Sequence, residues 1–361
     1  MRVGFYINNL WGISATARIA YFLAKEFRKK GVETIFLLNK DQIDIAKEFE
    51  IIVLKGRGDL DRAIEIGKLA SQLNLKAIYG FMRPQSVVLG LAKLFKPSLK
   101  VKLIGSVRGN NNFASYDKWY HLPYRFLEKF ILERNDKIIV VSKAVKKDLE
   151  RAFFLNPKKL EVIYNPIDPH FVKRKSKEPI EKELRDIFKN PVIVNVARME
   201  PEKGLHHLIE IFERVNKKLP ETRLVLIGDG SQRGKLETFI QKKGLKERVY
   251  LLGWKQNPFK YMARSKVFAL TSLWEGFGLV LLEAMVLGVP PLAFKTEGGH
   301  TEVLEDCCPL IEYPNEELYA EEIVKLLTDK DYYLSVKRKL NERVKNFFPE
   351  AVAKQYLRLI S

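Results

Sequence analysis

Apolar residues in this chain fall into short runs, and between most of these runs they recur at helical spacing. Residues 2–7, RVGFYI, open as an apolar strand. A loop follows, then a helical pattern over 15–30 that Gly31 ends. Further strands are expected at 32–38, 51–54, 77–79, 101–104 and 137–141, and 159–164 closes the unit. Residues 165–179 hold Pro166, Pro169, Pro179 and a charged run at 173–177, which reads as an interdomain hinge. The pattern then restarts with a strand at 192–196, a helix at 205–218, a strand at 223–227 and a helix at 233–243. Strands at 249–252 and 267–270, a helix after Gly278 and a strand at 291–294 complete it. From Leu318 onward the chain reads as helix. Alternation of this kind predicts an α/β fold of two doubly wound Rossmann-like domains, over 1–168 and 169–345. The length of 361 residues is that of about two domains.

Composition narrows the class. The only cysteines, Cys307 and Cys308, are adjacent, which gives neither a disulfide framework nor a zinc site and makes a reducing cytoplasm the expected compartment. No uncharged apolar run is long enough to span a bilayer, and the run after Arg2 is too short for a signal peptide. The net charge is +19, and residues 67–132 alone hold 11 Lys/Arg against 2 Asp/Glu. Such an excess suits a nucleic acid, an anionic membrane surface or a phosphorylated ligand, or else a lysine-rich surface that keeps the protein soluble.

The chemistry concentrates in 271–303, TSLWEGFGLVLLEAMVLGVPPLAFKTEGGHTEV. A strand, a glycine-bearing turn and a helix meet here. Gly276 and Gly278 stand where the helix begins and would let an anion approach free backbone N–H groups. Glu275 precedes the helix. Glu283 lies inside it among Leu281, Leu282, Ala284 and Met285, where a charge needs a polar partner such as a sugar hydroxyl.

The spacing Glu275-x7-Glu283 within E-G-F-G-L-x-x-L-E-A-M resembles the signature of the retaining E-x7-E glycosyltransferases of family 4. A second block, V-N-V-A-R-M-E-P-E-K-G over 194–204, resembles that family's R-x4-K-G. The resemblance implies that Arg198 and Lys203 bind the donor diphosphate, whose charge grows as the glycosidic bond breaks. It places Gly276, Phe277, Gly278, Leu279 and Glu283 at the donor and Glu275 at the catalytic centre. Gly228-Asp229-Gly230 fits a phosphate-facing turn near the donor or a tight turn that packs helix on strand. It is neither a P-loop nor a dinucleotide fingerprint. Trp254 falls in the loop that lies beside the nucleotide base in the family, or is core.

In the first half, Gly12 stands where the family has a pair of glycines against the transferred sugar and the acceptor. Arg108 stands in L-I-G-S-V-R-G, where many members carry histidine. Arg108 is expected at the catalytic centre, where a cation could contact the donor phosphate or an anionic acceptor, although it cannot exchange protons near neutral pH; a salt-bridged structural arginine is the alternative. Residues 113–130, FASYDKWYHLPYRFLEKF, fit an interfacial or acceptor-binding surface or, somewhat better, a partly buried helix with aromatics in the core. The adjacent pair His206 and His207 reads as structural.

The resemblance implies a GT-B architecture, two domains facing across a cleft, with the last helix, 346–361, crossing back to the first. It implies a nucleotide-diphosphate sugar as donor, a saccharide or lipid-linked acceptor, retention of configuration and no metal. A cytoplasmic enzyme, peripheral on the inner face of the membrane, is the expectation. A sugar-nucleotide epimerase of similar shape and a basic nucleic-acid-binding protein are the alternatives, although no nucleic-acid module is visible.

Overall fold

The computed structural model describes residues 1–109 and 122–360, and the chain divides into two compact units, Met1–Pro166 with Phe348–Ser361, and Ile167–Phe347. The first unit begins β1 Arg2–Ile7, α1 Ala15–Lys29, β2 Glu33–Leu38, β3 Glu50–Val53, α2 Asp59–Gln72, β4 Ala77–Gly80, α3 Arg83–Phe95 and β5 Lys102–Val107. It continues with α4 Leu122–Leu132, β6 Lys137–Val140, α5 Lys143–Phe153 and β7 Leu160–Val162. Its strands form one parallel sheet in the order β3-β2-β1-β4-β5-β6-β7. Helix α1 starts where the Ser14 hydroxyl accepts from the Ala17 amide, and it ends against Gly31 at φ +72°. Phe5 on β1 is fully buried and meets the rings of Phe27, Phe36 and Tyr79 edge-on.

The second unit holds α6 Pro169–Ser176, β8 Val192–Val196, α7 Leu205–Lys218, β9 Arg223–Ile227, α8 Arg233–Lys242, β10 Val249–Leu251, α9 Phe259–Met262 and β11 Val267–Leu270. There follow α10 Leu279–Val286, β12 Pro291–Lys295, α11 Gly299–Leu304, β13 Leu310–Glu312, α12 Glu316–Thr328 and α13 Lys330–Val344. Its sheet is also parallel, in the order β10-β9-β8-β11-β12-β13. The final helix, α14 Pro349–Arg358, belongs to the first unit, where the Tyr79 hydroxyl donates to the Tyr356 carbonyl at 2.8 Å.

In both sheets the first strand of the unit lies inside, with a later crossover on its far side. This is the doubly wound arrangement, and it puts a topological switch point at β1/β4 and at β8/β11. Ligands of such sheets bind at the carboxyl ends of the strands beside that point.

Two local expectations need correction. The boundary between the units, Pro166/Ile167, falls in the stretch read as a hinge, but that stretch is not bare linker and contains α6. Asp168 caps it by accepting from the His170 and Phe171 amides, and Pro169 fills the first turn, where no N–H is needed. In the aromatic segment 113–130, residues 113–121 lie outside the described residues. Over the part that is described, α4 turns Tyr124, Phe126, Leu127 and Phe130 to the surface and only its end, Ile131 and Leu132, into the core.

Candidate functional site

Most site residues of the second unit stand on loops that leave the carboxyl ends of β8, β9, β10, β11 and β12, and Glu283 lies within α10. After β8 the chain runs through Arg198 into a short 3-10 turn, Pro201–Lys203, and reaches Gly204 at φ +57°. After β11 it runs from Thr271 to Gly278. The two loops are stitched together. The Leu273 amide donates to the Glu202 carbonyl at 2.9 Å and the Thr271 hydroxyl to the Lys203 carbonyl at 3.2 Å. A Cβ on Gly204 would lie 2.4 Å from the Thr271 carbonyl oxygen, so the glycine of the K-G pair is required twice over, by its dihedral and by its neighbour.

This stitching brings the two motif blocks into contact. The Lys203 ammonium lies 2.7 Å from Glu275 Oε1, with both side chains largely shielded from water, and the Ser272 hydroxyl donates to the same oxygen at 2.8 Å. The Glu275 backbone is fixed as well, because its carbonyl accepts from the Gly299 amide at 2.8 Å. Gly298, at φ +154°, lies so close that a Cβ there would meet the Glu275 carbonyl oxygen at 2.6 Å. Gly278, at φ +83°, caps the start of α10 without a side chain. Phe277 is buried edge-on to Phe347 at 6.0 Å, Gly276 is buried, and Leu279 is half-buried. Glu283 is buried on α10, one turn in from Leu279.

His300 adds a feature that sequence reading did not single out. Its imidazole is fully buried, with Nε2 3.0 Å from the Phe294 carbonyl oxygen, while Nδ1 has no hydrogen-bond partner among the described residues. Burial pushes its pKa below the usual value, the Phe294 carbonyl and Glu275 oppose that shift, and Lys203 adds to it. A neutral imidazole therefore underlies the Glu275 loop. Ser272 and Gly204 were also passed over. The first acts through its bond to Glu275, its carbonyl also accepting from the Thr296 hydroxyl at 3.2 Å, and the second through its contact with Thr271.

Gly228 and Gly230 are explained by packing. A Cβ on Gly228, at φ +136°, would sit 1.9 Å from the Ala197 carbonyl oxygen, and one on Gly230 would sit 2.6 Å from that of Met199. Glu200 accepts from the Ser231 hydroxyl and amide, and these bonds hold its carboxyl below the usual range. The turn after β9 is thus clamped to the loop that carries Arg198. Arg198 itself is exposed, with Glu202 at 3.1 Å. Trp254 is 60% exposed, so it is not core and its ring is open to a stacking partner.

In the first unit the Gly12 amide donates to Asp44 at 2.5 Å, and the Arg18 guanidinium donates to the carbonyls of Gly12 and Ile13. Arg108 is half-buried. It donates to the Phe81 carbonyl at 2.9 Å, to Asn165 Oδ1 at 2.5 Å and to the Tyr356 hydroxyl at 2.6 Å. That is the bonding of a brace between the ends of β4 and β5 and α14.

Among the described residues one group could hold a metal ion. His207 and Glu210 on α7 and Glu316 on α12 have ligand atoms within 4.8 Å of one another. His207 Nδ1 is 2.6 Å from Glu316, and Lys243 and Arg214 already flank the two carboxylates. Also among the described residues, no helix is long and apolar enough to cross a membrane.

Comparison with known proteins identifies the family and the fold. The family model described as Glycosyl transferases group 1 matches residues 176–347, and that described as Glycosyltransferase Family 4 matches residues 16–171. The chain is similar to an uncharacterised glycosyltransferase of Methanocaldococcus jannaschii, 32% identical over 76% of this chain and 75% of that one. It is similar to the N-acetylgalactosamine-N,N'-diacetylbacillosaminyl-diphospho-undecaprenol 4-alpha-N-acetylgalactosaminyltransferase of Campylobacter jejuni, 28% identical over 82% and 80% of the two chains. The structure of Anabaena HepE in complex with UDP and glucose has the same fold, with a TM-score of 0.77 at 20% identity over 100% and 99% of the two chains.

Proposed function

The chain belongs to the family 4 glycosyltransferases, with two parallel-sheet Rossmann-like units of the GT-B class, and from that premise we propose the following reaction. A sugar moves from a nucleotide-diphosphate donor, bound by the second unit, to a saccharide or lipid-linked acceptor in glycan synthesis, with retention of anomeric configuration. Family membership sets aside the epimerase and the nucleic-acid-binding protein.

The observation that carries the reading is the contact of Lys203 with Glu275 at 2.7 Å beside the glycine-started α10. As the bond from the anomeric carbon to the phosphate oxygen breaks, charge grows on the leaving diphosphate. Lys203, Arg198 and the positive N-terminal end of α10 stabilise that charge. Lys203 also orients Glu275 toward the donor sugar. The acceptor oxygen bonds to the anomeric carbon on the face the phosphate leaves, and its proton passes to the departing phosphate oxygen. Glu283 accepts from a donor hydroxyl, Trp254 stacks on the base, and the Gly228–Gly230 turn acts by holding Arg198 in place.

The lipid-linked acceptor of the Campylobacter relative supports a substrate of that class. The basic first unit suits reversible contact with an anionic membrane, so the proposed location is the cytoplasmic face. No resident metal is proposed, and unchanged turnover in a chelator is the matching test. For the activity itself, the full chain is challenged with a panel of nucleotide-diphosphate sugars, reading thermal stabilisation and slow donor hydrolysis. One or two donors should raise the melting temperature and release nucleotide diphosphate. Silence across the panel would remove the donor assignment.

A further inference from the structure

Helix α4 presents an apolar face with no protein over it among the described residues. Phe126, Leu127 and Phe130 are 52%, 58% and 46% exposed, and their spacing puts them on one side of the helix. Tyr124 is exposed beside Leu127. Phe154, just past α5, extends the face. It is also about half exposed, stands at φ +50°, and stacks on Phe126 with ring centres 6.3 Å apart and planes 11° from parallel. Holding a bulky residue in the left-handed region costs free energy, and here the strained residue is turned to solvent. Large contiguous apolar surface of this kind marks an interaction site.

The surroundings are basic. The Arg134 guanidinium lies 4.2 Å over the Phe130 ring, and that of Arg125 lies 5.9 Å from the Phe154 ring. Gly90 on α3 packs against the Ile131 backbone, and one turn further on Leu94 and Phe95 are exposed beside Lys93 and Lys96. Lys93 and Lys96 donate to the Leu99 carbonyl and the Ser71 hydroxyl, so they add charge without reaching far outward. Residues 1–170 hold 30 Lys/Arg against 17 Asp/Glu. A second copy of the same face would repel this one. An anionic surface with an apolar interior would satisfy both components, because the exposed Arg134 guanidinium meets phosphates while aromatic rings enter the boundary, with Arg125, which donates to the Ala152 carbonyl, adding charge behind them.

We propose that α4 and Phe154 form the surface by which this enzyme docks on anionic phospholipid bilayers. The proposal rests on the membrane contact proposed above and assigns it to particular side chains. The lysines at 93–102 are auxiliary.

The test uses the full chain and two kinds of vesicle, neutral phosphatidylcholine and an equimolar mixture with phosphatidylglycerol. Flotation should recover protein with the anionic vesicles and little with the neutral ones. The double substitution Phe126→Ser/Phe130→Ser should weaken anionic binding about tenfold or more with an unchanged melting temperature. Phe126→Trp should give an indole emission that shifts blue on vesicle addition. Equal binding by wild type and the serine variant, or no binding by either, would overturn the proposal. So would a concentration-dependent dimer in sedimentation that the same serines abolish, since the face would then serve a second copy. Donor hydrolysis without vesicles is read on each preparation, so loss of docking and loss of the enzyme assignment remain distinct results.

Discussion

At the end of β5, Arg108 donates to three acceptors that come from β4's end, from Asn165 and from α14, the last of them 248 positions away in sequence. Nothing near Arg108 in the chain discloses Tyr356, so sequence reading put Arg108 at the catalytic centre, with a structural arginine as the alternative. Three hydrogen bonds at about 1 kcal/mol net each favour the brace. Arg108→Ala should therefore lower the melting temperature by several degrees, with donor hydrolysis per folded molecule retained. A tenfold loss of turnover with unchanged melting would instead put Arg108 at the donor. Gly228 was legible as a special turn, but not for the reason the structure gives. The Ala197 carbonyl would lie 1.9 Å from any Cβ there, and the backbone is at φ +136°. Gly228→Ala should cost roughly 3 kcal/mol or more, and near-native denaturant stability would refute the close contact. The Glu275 and Glu283 positions were readable because strand, glycine turn and helix are consecutive. The Lys203–Glu275 pair depended on resemblance, since 72 positions separate the two residues.

Strands and long helices were legible as elements from periodicity alone, and the elements that escaped were short or ambiguous. Strand β13 spans Leu310–Glu312, too brief to show alternation. The signals of α6, Asp168 followed by Pro169, are those of a helix start, yet the surrounding prolines also suit a linker. The aromatic pattern of α4 could not say which side would be covered, because periodicity marks an apolar face and not its partner. Helix α11 brings a pH dependence. His300 has its pKa lowered by burial from an ordinary 6.5, so the unfolded chain binds that proton more tightly. Its contribution is intact above 6.5 and is lost as pH falls from there toward the folded value. The melting temperature of the wild type should fall between pH 7 and pH 5 more steeply than that of His300→Gln. Parallel profiles would mean that His300 does not titrate in this range.

Two sheets of one topology and a chain that returns to its first unit define the molecule as a whole. Alternation across 361 residues forecast both sheets, whereas the return of α14 came only from resemblance. Since the Tyr79 and Arg108 bonds end on Tyr356, deleting residues 348–361 should destabilise the first unit and leave the second folded. Hydrogen exchange that rose equally in both units would contradict this. The central claim is that Lys203 and Glu283 serve a nucleotide-sugar donor held by the second unit. Donor hydrolysis by wild type, Lys203→Met and Glu283→Gln tests it most directly, with folding verified for each protein. The account requires nucleotide diphosphate release by the wild type and a loss of about tenfold or more in both variants, equivalent to roughly 1.4 kcal/mol of transition-state stabilisation. Wild-type rates in both folded variants would contradict it.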